Sequence, residues 1–162
     1  MTTAREALKK SYNIPAVLQY KEIVNRRPAE YLKKMGFSSL HEADYTNLST
    51  SLGALERGVT VEENTNAFAT FANGGEFVDA YMIEKIEDND GNIIFEHKSK
   101  ATKVFSPQTA YLTLDMMRDV LTSGTAAGIN SKLKFYSDWA GKTGTSQSFR
   151  DAWFVATNPN VT

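Results

Sequence analysis

Two strand-like segments near the end of the chain constrain its fold more than any other feature. Phe135–Ser146, FYSDWAGKTGTS, and Ala152–Thr157, AWFVAT, are separated only by the polar turn Gln147-Ser-Phe-Arg-Asp151. Such runs, joined by a short polar turn, read as neighbouring strands. Almost everything before them carries helix signals. Thr3 with Glu6 fits a capping box opening a helix over residues 4–10, and Ser11-Tyr12-Asn13 interrupts it. Pro15 suits the first position of a second helix to about Val24, with Val17, Tyr20 and Val24 inward. A third starts near Pro28 and stops at Gly36, turning Leu32 and Met35 to the core. Residues 37–58 read mostly as loop.

Thr60 with Glu63 is another capping box, before a helix presenting Ala67, Phe68, Phe71 and Ala72 and ending at Asn73-Gly74-Gly75. YMIEKIE and NIIFEHK flank Asp88-Asn89-Asp90-Gly91 as a hairpin. Ser106-Pro107 opens the longest helix, to about Thr122, with Ala110, Leu114, Met117 and Leu121 on one stripe. Gly124 closes it. With 162 residues and no internal repeat, one α+β unit of helices packed with antiparallel strands is the economical architecture.

Charge and composition exclude several functions. A net charge of -1 offers no electrostatic footprint for nucleic acid or an anionic membrane. No apolar run approaches a membrane span, and MTTAREALKK lacks the apolar stretch of a signal peptide. The absence of cysteine removes disulfides and thiolate metal sites, and His41 and His97, far apart and read as surface residues, suggest no metal centre. No cofactor is expected.

Gly141-Lys142-Thr143 invites a phosphate-loop reading, but that motif needs a glycine five positions before Gly141 and a helix after it. Position 136 is tyrosine, and the text that follows is strand-like. KTGT on a strand has a different use. Alternation puts Lys142 and Gly144 on one face, Thr143 and Thr145 on the other. An ammonium, hydroxyls and a side-chain-free Gly144 suit a substrate carboxylate and a developing oxyanion. An ordinary exposed strand accounts for the same four residues equally well. Ser11-Tyr12-Asn13 likewise fits simple turn chemistry, or a hydroxyl for proton relay beside a carboxamide that orients a substrate amide.

The two motifs together, with the text between them, resemble the transpeptidase domain of high-molecular-weight penicillin-binding proteins, most closely the bifunctional class A type. TAREALKKSYNIPAV, GVTVEENTNAFATFANGGEF, VLTSGTAAG, WAGKTGTS and DAWFVATNP follow one another in the family's order across the whole chain. The resemblance implies a penicillin-binding/β-lactamase-like α+β fold. It implies that Ser11 takes part in proton transfer and that Asn13 holds a substrate amide. Lys142 would supply positive charge, Thr143 and Thr145 hydroxyls near the substrate carboxylate, and Gly144 space for its approach. The Thr145 N–H would form half of an oxyanion hole.

One part of the pattern departs. The family's nucleophile and base come from S-x-x-K, N-terminal to the Ser-X-Asn element; the only literal match here, Ser131-Lys-Leu-Lys134, follows it and is read as a surface coincidence. The expectation is therefore a partial transpeptidase domain over residues 1–162, lacking the S-x-x-K segment and a final strand and helix, and inactive alone. The implied partners are peptidoglycan stem peptides, β-lactams and the remainder of the domain as a separate or disordered chain. The implied location is the outer face of a bacterial cytoplasmic membrane. A serine β-lactamase or penicillin-sensing receptor fragment shares the motif grammar, and a non-catalytic assembly fragment is the alternative from another class.

Overall fold

A computed structural model describes residues 2–135 and 137–162. Five α-helices span Ala4–Lys10 (α1), Asn13–Ile23 (α2), Glu30–Lys34 (α3), Val61–Ala72 (α4) and Pro107–Ser123 (α5). Six strands span Glu76–Phe77 (β1), Lys85–Glu87 (β2), Ile93–Glu96 (β3), Thr102–Lys103 (β4), Ala140–Thr145 (β5) and Ala152–Thr157 (β6). The α+β expectation holds. The strands form three separate antiparallel pairs, β1–β4, β2–β3 and β5–β6, rather than one sheet.

The helix starts follow their caps. Thr60 Oγ1 accepts from the Glu63 N–H while the Glu63 carboxylate reaches back to the Thr60 N–H, a complete capping box on α4. Ser106 caps α5, with Pro107 in its first turn. The Thr3 box is only half made: Thr3 accepts from the Glu6 N–H, but the Glu6 carboxylate pairs with Lys9 instead.

The helices depart from expectation in places; α3, for one, starts at Glu30 rather than near Pro28. Asn13, not Pro15, begins α2, because the proline ring is tolerated anywhere in the first turn, where N–H groups have no intrahelical partner. Val17, Tyr20 and Val24 are only half-buried, since α2 packs chiefly on the short 3₁₀ turn Leu48–Leu52. On α4, Ala67 is buried as expected and Phe68 and Phe71 are half-buried, but Thr70 is buried in place of Ala72, which is exposed. His41 is exposed as expected, but His97 is half-buried and stacks on Tyr81 at 4.0 Å between ring centroids. The first closing strand starts at Ala140; Tyr136, within the longer stretch read from sequence, lies outside the described residues.

Two apolar clusters organise the chain. Met35, Phe37, Ala67 and Val104 form one, surrounded by Leu32, Leu40, Leu55, Val59, Phe77 and Phe105. Phe105 lies between Tyr31 and Phe71, stacked on each at just over 5 Å. Along α5, Ala110, Met117, Val120 and Leu121 are buried, and this helix packs against α1, α4 and β5. Val120 fills the i+3 position of the stripe, and Leu114 is only half-buried. Helix α5 thus places α1 and the β5–β6 pair around one support.

Candidate active site

The β5–β6 ladder pairs Ala140 with Thr157 and runs without interruption to Thr145 with Ala152. Gly141 makes that register possible: a Cβ there would lie 2.7 Å from the Val155 carbonyl and 2.8 Å from the Ala156 Cβ. Lys142, next along the strand, is half-buried. Its Nζ donates to Ser11 Oγ at 2.8 Å and to its neighbour's carbonyl, Thr143 O, also at 2.8 Å. Residues 131 apart in sequence therefore meet through one side-chain hydrogen bond. Burial lowers the Lys142 pKa from its ordinary value.

Ser11 reaches this position through an unusual turn. It ends α1 in the left-handed region, with φ 57° and ψ 44°. The Tyr12 N–H returns to Ala7 O and the Ser11 N–H to Leu8 O, the Schellman pattern whose left-handed position normally holds glycine. A serine there costs on the order of 1 kcal/mol in backbone strain. Helix α1 itself is held to α5. Arg5 pairs with both Asp115 and Asp119, and Lys10 Nζ donates to Ser123 O at 3.1 Å. The hydrogen bonds that Arg5 donates to Asp115 and Asp119 raise its pKa, and Arg5 lowers that of Asp115.

The remaining sequence-read residues fall as follows. Asn13 opens α2, exposed, two residues from Ser11. Its carboxamide makes no hydrogen bond among the described residues. Thr143 Oγ1 shares a 2.6 Å hydrogen bond with Thr125 Oγ1. Gly144 stands opposite Trp153, where a Cβ would come 3.3 Å from the Trp153 Cβ, and Thr145 is exposed at the open end of the pair. Ser131 sits in the 3₁₀ turn Asn130–Lys132, its hydroxyl donating to Gly128 O at 2.7 Å. This turn is not a helix that would stack serine and lysine on adjacent turns. Thr125 and Arg5 escaped the sequence reading as site residues. No spacing rule links them to residues 18 and 110 positions away, and only the packing reveals the contacts.

This arrangement of a Ser-X-Asn turn against a KTGT strand can be set beside known proteins. The family model for the penicillin binding protein transpeptidase domain matches residues 1–162. The chain belongs to that family. Penicillin-binding protein 4 of Bacillus subtilis is 33% identical over 161 residues, covering 99% of this chain and 25% of that protein. The crystal structure of penicillin-binding protein 1A from Haemophilus influenzae superposes with a TM-score of 0.78 at 26% identity, over 94% of this chain and 28% of that one. Penicillin-binding protein A from M. tuberculosis, solved as an imipenem acyl-enzyme complex, shares the fold with a TM-score of 0.76 at 22% identity, over 98% of this chain and 39% of that one. The chain spans a quarter or less of the length of the curated relatives it matches. Matches to proteins named 1A agree with the class A resemblance read from the sequence.

Proposed function

We propose that residues 1–162 build one wall of a serine D,D-transpeptidase site that cross-links peptidoglycan stem peptides and is acylated by β-lactams. The observation that carries this reading is the Lys142–Ser11 hydrogen bond at 2.8 Å, which unites the two family motifs. An ammonium can only donate, so Ser11 Oγ accepts from Lys142 and keeps its own proton free to give elsewhere. That is the polarity required of a relay that delivers a proton to a departing amine. The charge on Lys142 also attracts the anionic end of the donor peptide. Asn13, free of local hydrogen bonds, offers its carboxamide to a substrate amide. Gly144 and Thr145 give the acyl donor room, a hydroxyl and an N–H for the oxyanion.

In this reaction the nucleophilic serine attacks the penultimate D-alanine carbonyl, forming an acyl-serine and releasing D-alanine. A second strand's amine then takes the acyl group and restores the serine. The serine and its base belong to an S-x-x-K segment, which residues 1–162 do not contain in the family's order. Their work is to bind, to polarise and to relay. The reaction takes place on the outer side of the cytoplasmic membrane, where peptidoglycan lies; no helix among the described residues is long and apolar enough to cross a membrane.

Fluorescent penicillin tests the proposal. The intact transpeptidase carrying this sequence should form a covalent adduct, and Lys142→Ala or Ser11→Ala should slow its formation about 10²-fold or more. Residues 1–162 alone should remain unlabelled. An adduct on Ser131, or on any serine of the 162-residue chain, overturns the assignment of the nucleophile to another segment.

A further inference from the structure

Thr125 lies just beyond α5 and bonds in two directions. Its backbone N–H donates to Lys9 O at 3.2 Å, at the last turn of α1 and two residues before Ser11. Its Oγ1 shares the 2.6 Å bond with Thr143, the residue after Lys142. Adding the Lys142–Ser11 bond closes a ring: Thr125 to α1, α1 to Ser11, Ser11 to Lys142, along β5 to Thr143, and back to Thr125. Gly124 allows the approach, since a Cβ there would lie 2.5 Å from Lys9 O and 2.6 Å from Val120 Cα. The Ala126 N–H, returning to Val120 O at 3.0 Å, ties the same turn to the end of α5.

We propose that Thr125 is a positioning residue of the transpeptidase site, holding the KTGT strand and the Ser-X-Asn turn at the separation that lets Lys142 reach Ser11. The proposal rests on the transpeptidase reading and adds two points to it. The Thr143 hydroxyl and that of Thr125 share a bond that either can donate, so Thr143 helps to hold β5 and, when Thr125 donates, keeps its own proton for the substrate carboxylate. Thr145, two residues along the strand and exposed, offers a further hydroxyl to the carboxylate of a donor peptide or β-lactam. The physical basis is that a strand and a turn approaching from different elements keep a fixed separation when one residue bonds to both. Displacements of an ångström between such groups are costly to rate.

The test measures acylation of the intact transpeptidase by fluorescent penicillin over a concentration series, with melting temperatures taken in parallel. Thr125→Val, which keeps the branched shape and loses the hydroxyl, should slow maximal acylation about 10-fold while leaving the half-saturating concentration nearly unchanged. Thr125→Ser should return the rate to within about threefold of the parent. Thr125→Val combined with Thr143→Val should be no slower than Thr143→Val alone, because both remove the same hydrogen bond. Thr125→Ala, which adds no bulk, is judged by the same criteria should the valine variant fail to fold. The proposal is overturned if Thr125→Val and Thr125→Ala acylate at the parent rate, if serine does not rescue, if the two valine losses multiply, or if the loss lies wholly in affinity. An unlabelled parent would instead overturn the transpeptidase reading itself, and this inference with it.

Discussion

Glu63→Gln tests how the chain is held together with a single atom exchanged. The Glu63 carboxylate accepts from the Ser38 N–H at 3.0 Å, the Ser38 hydroxyl at 2.6 Å and the Thr60 N–H at 3.0 Å, with the Thr60 hydroxyl at 3.3 Å. It therefore caps α4 and fastens it to the loop that follows α3, beside Phe37 and Leu40 of the first apolar cluster. These bonds, the Ser38 hydroxyl first, hold its pKa at about 2 against an ordinary 4.5. That difference, at about 1.4 kcal/mol per pH unit, sets a ceiling of about 3 kcal/mol on the stabilisation by the charged form. The side chain is partly solvated, and screening reduces the figure to about 1–2 kcal/mol, the usual range for a lost cap. Glutamine keeps one acceptor oxygen and turns an NH₂ toward donors on the other side, so it cannot reproduce the arrangement.

The sign of the pH dependence follows from the lowered pKa. The stabilisation is complete above about 4.5 and is lost as pH falls through that value toward 2. Thermal melting followed by circular dichroism should place the variant about 3–7 °C below the parent at pH 7. The gap should narrow through pH 4 and nearly close by pH 2. Equal melting temperatures at pH 7, or a gap that stays constant from pH 7 to pH 2.5, would refute the reasoning.

Three further outcomes follow from the packing. Gly141→Ala, which drives a methyl group against the Val155 carbonyl, should cost about 1–3 kcal/mol and lower the melting temperature. Gly144→Ala, whose nearest neighbour is the Trp153 Cβ at 3.3 Å, should melt near the parent yet lose penicillin acylation. Arg5→Ala frees α1 from Asp115 and Asp119 and should slow acylation several-fold; in the parent, raising salt should mimic part of that loss, since the pairs are partly exposed.

Much of this molecule was legible one segment at a time, because the signals are local. The Thr60–Glu63 box, Ser106-Pro107 and the DNDG turn each satisfy backbone groups within a few residues, so the structure has them where the sequence places them. Burial was less legible. Tyr20 and Val24 have apolar bulk at helical spacing, but whether a face is covered depends on what packs there, and α2 finds chiefly a short turn. Sequence spacing also cannot show that Glu6 prefers Lys9 to its capping role.

The candidate site divides the same way. Ser-X-Asn at a helix boundary and KTGT on a strand are local texts, and only with the family-like text between them do they make Ser11, Asn13, Lys142, Thr143, Gly144 and Thr145 the candidate residues. Distance was not in the text. Lys142 meets Ser11 because α5 presents α1 and β5 to one another, and because Gly124 and Gly141 let backbones approach where a side chain would not fit. By itself the sequence determined the helices, the turns and the chemical groups, since caps, glycines and hydroxyls act on their nearest neighbours. Only the tertiary structure decided which hydroxyl the lysine reaches and which hydroxyl Thr125 engages, because those bonds, across 131 and 18 residues of sequence, depend on how separate elements pack.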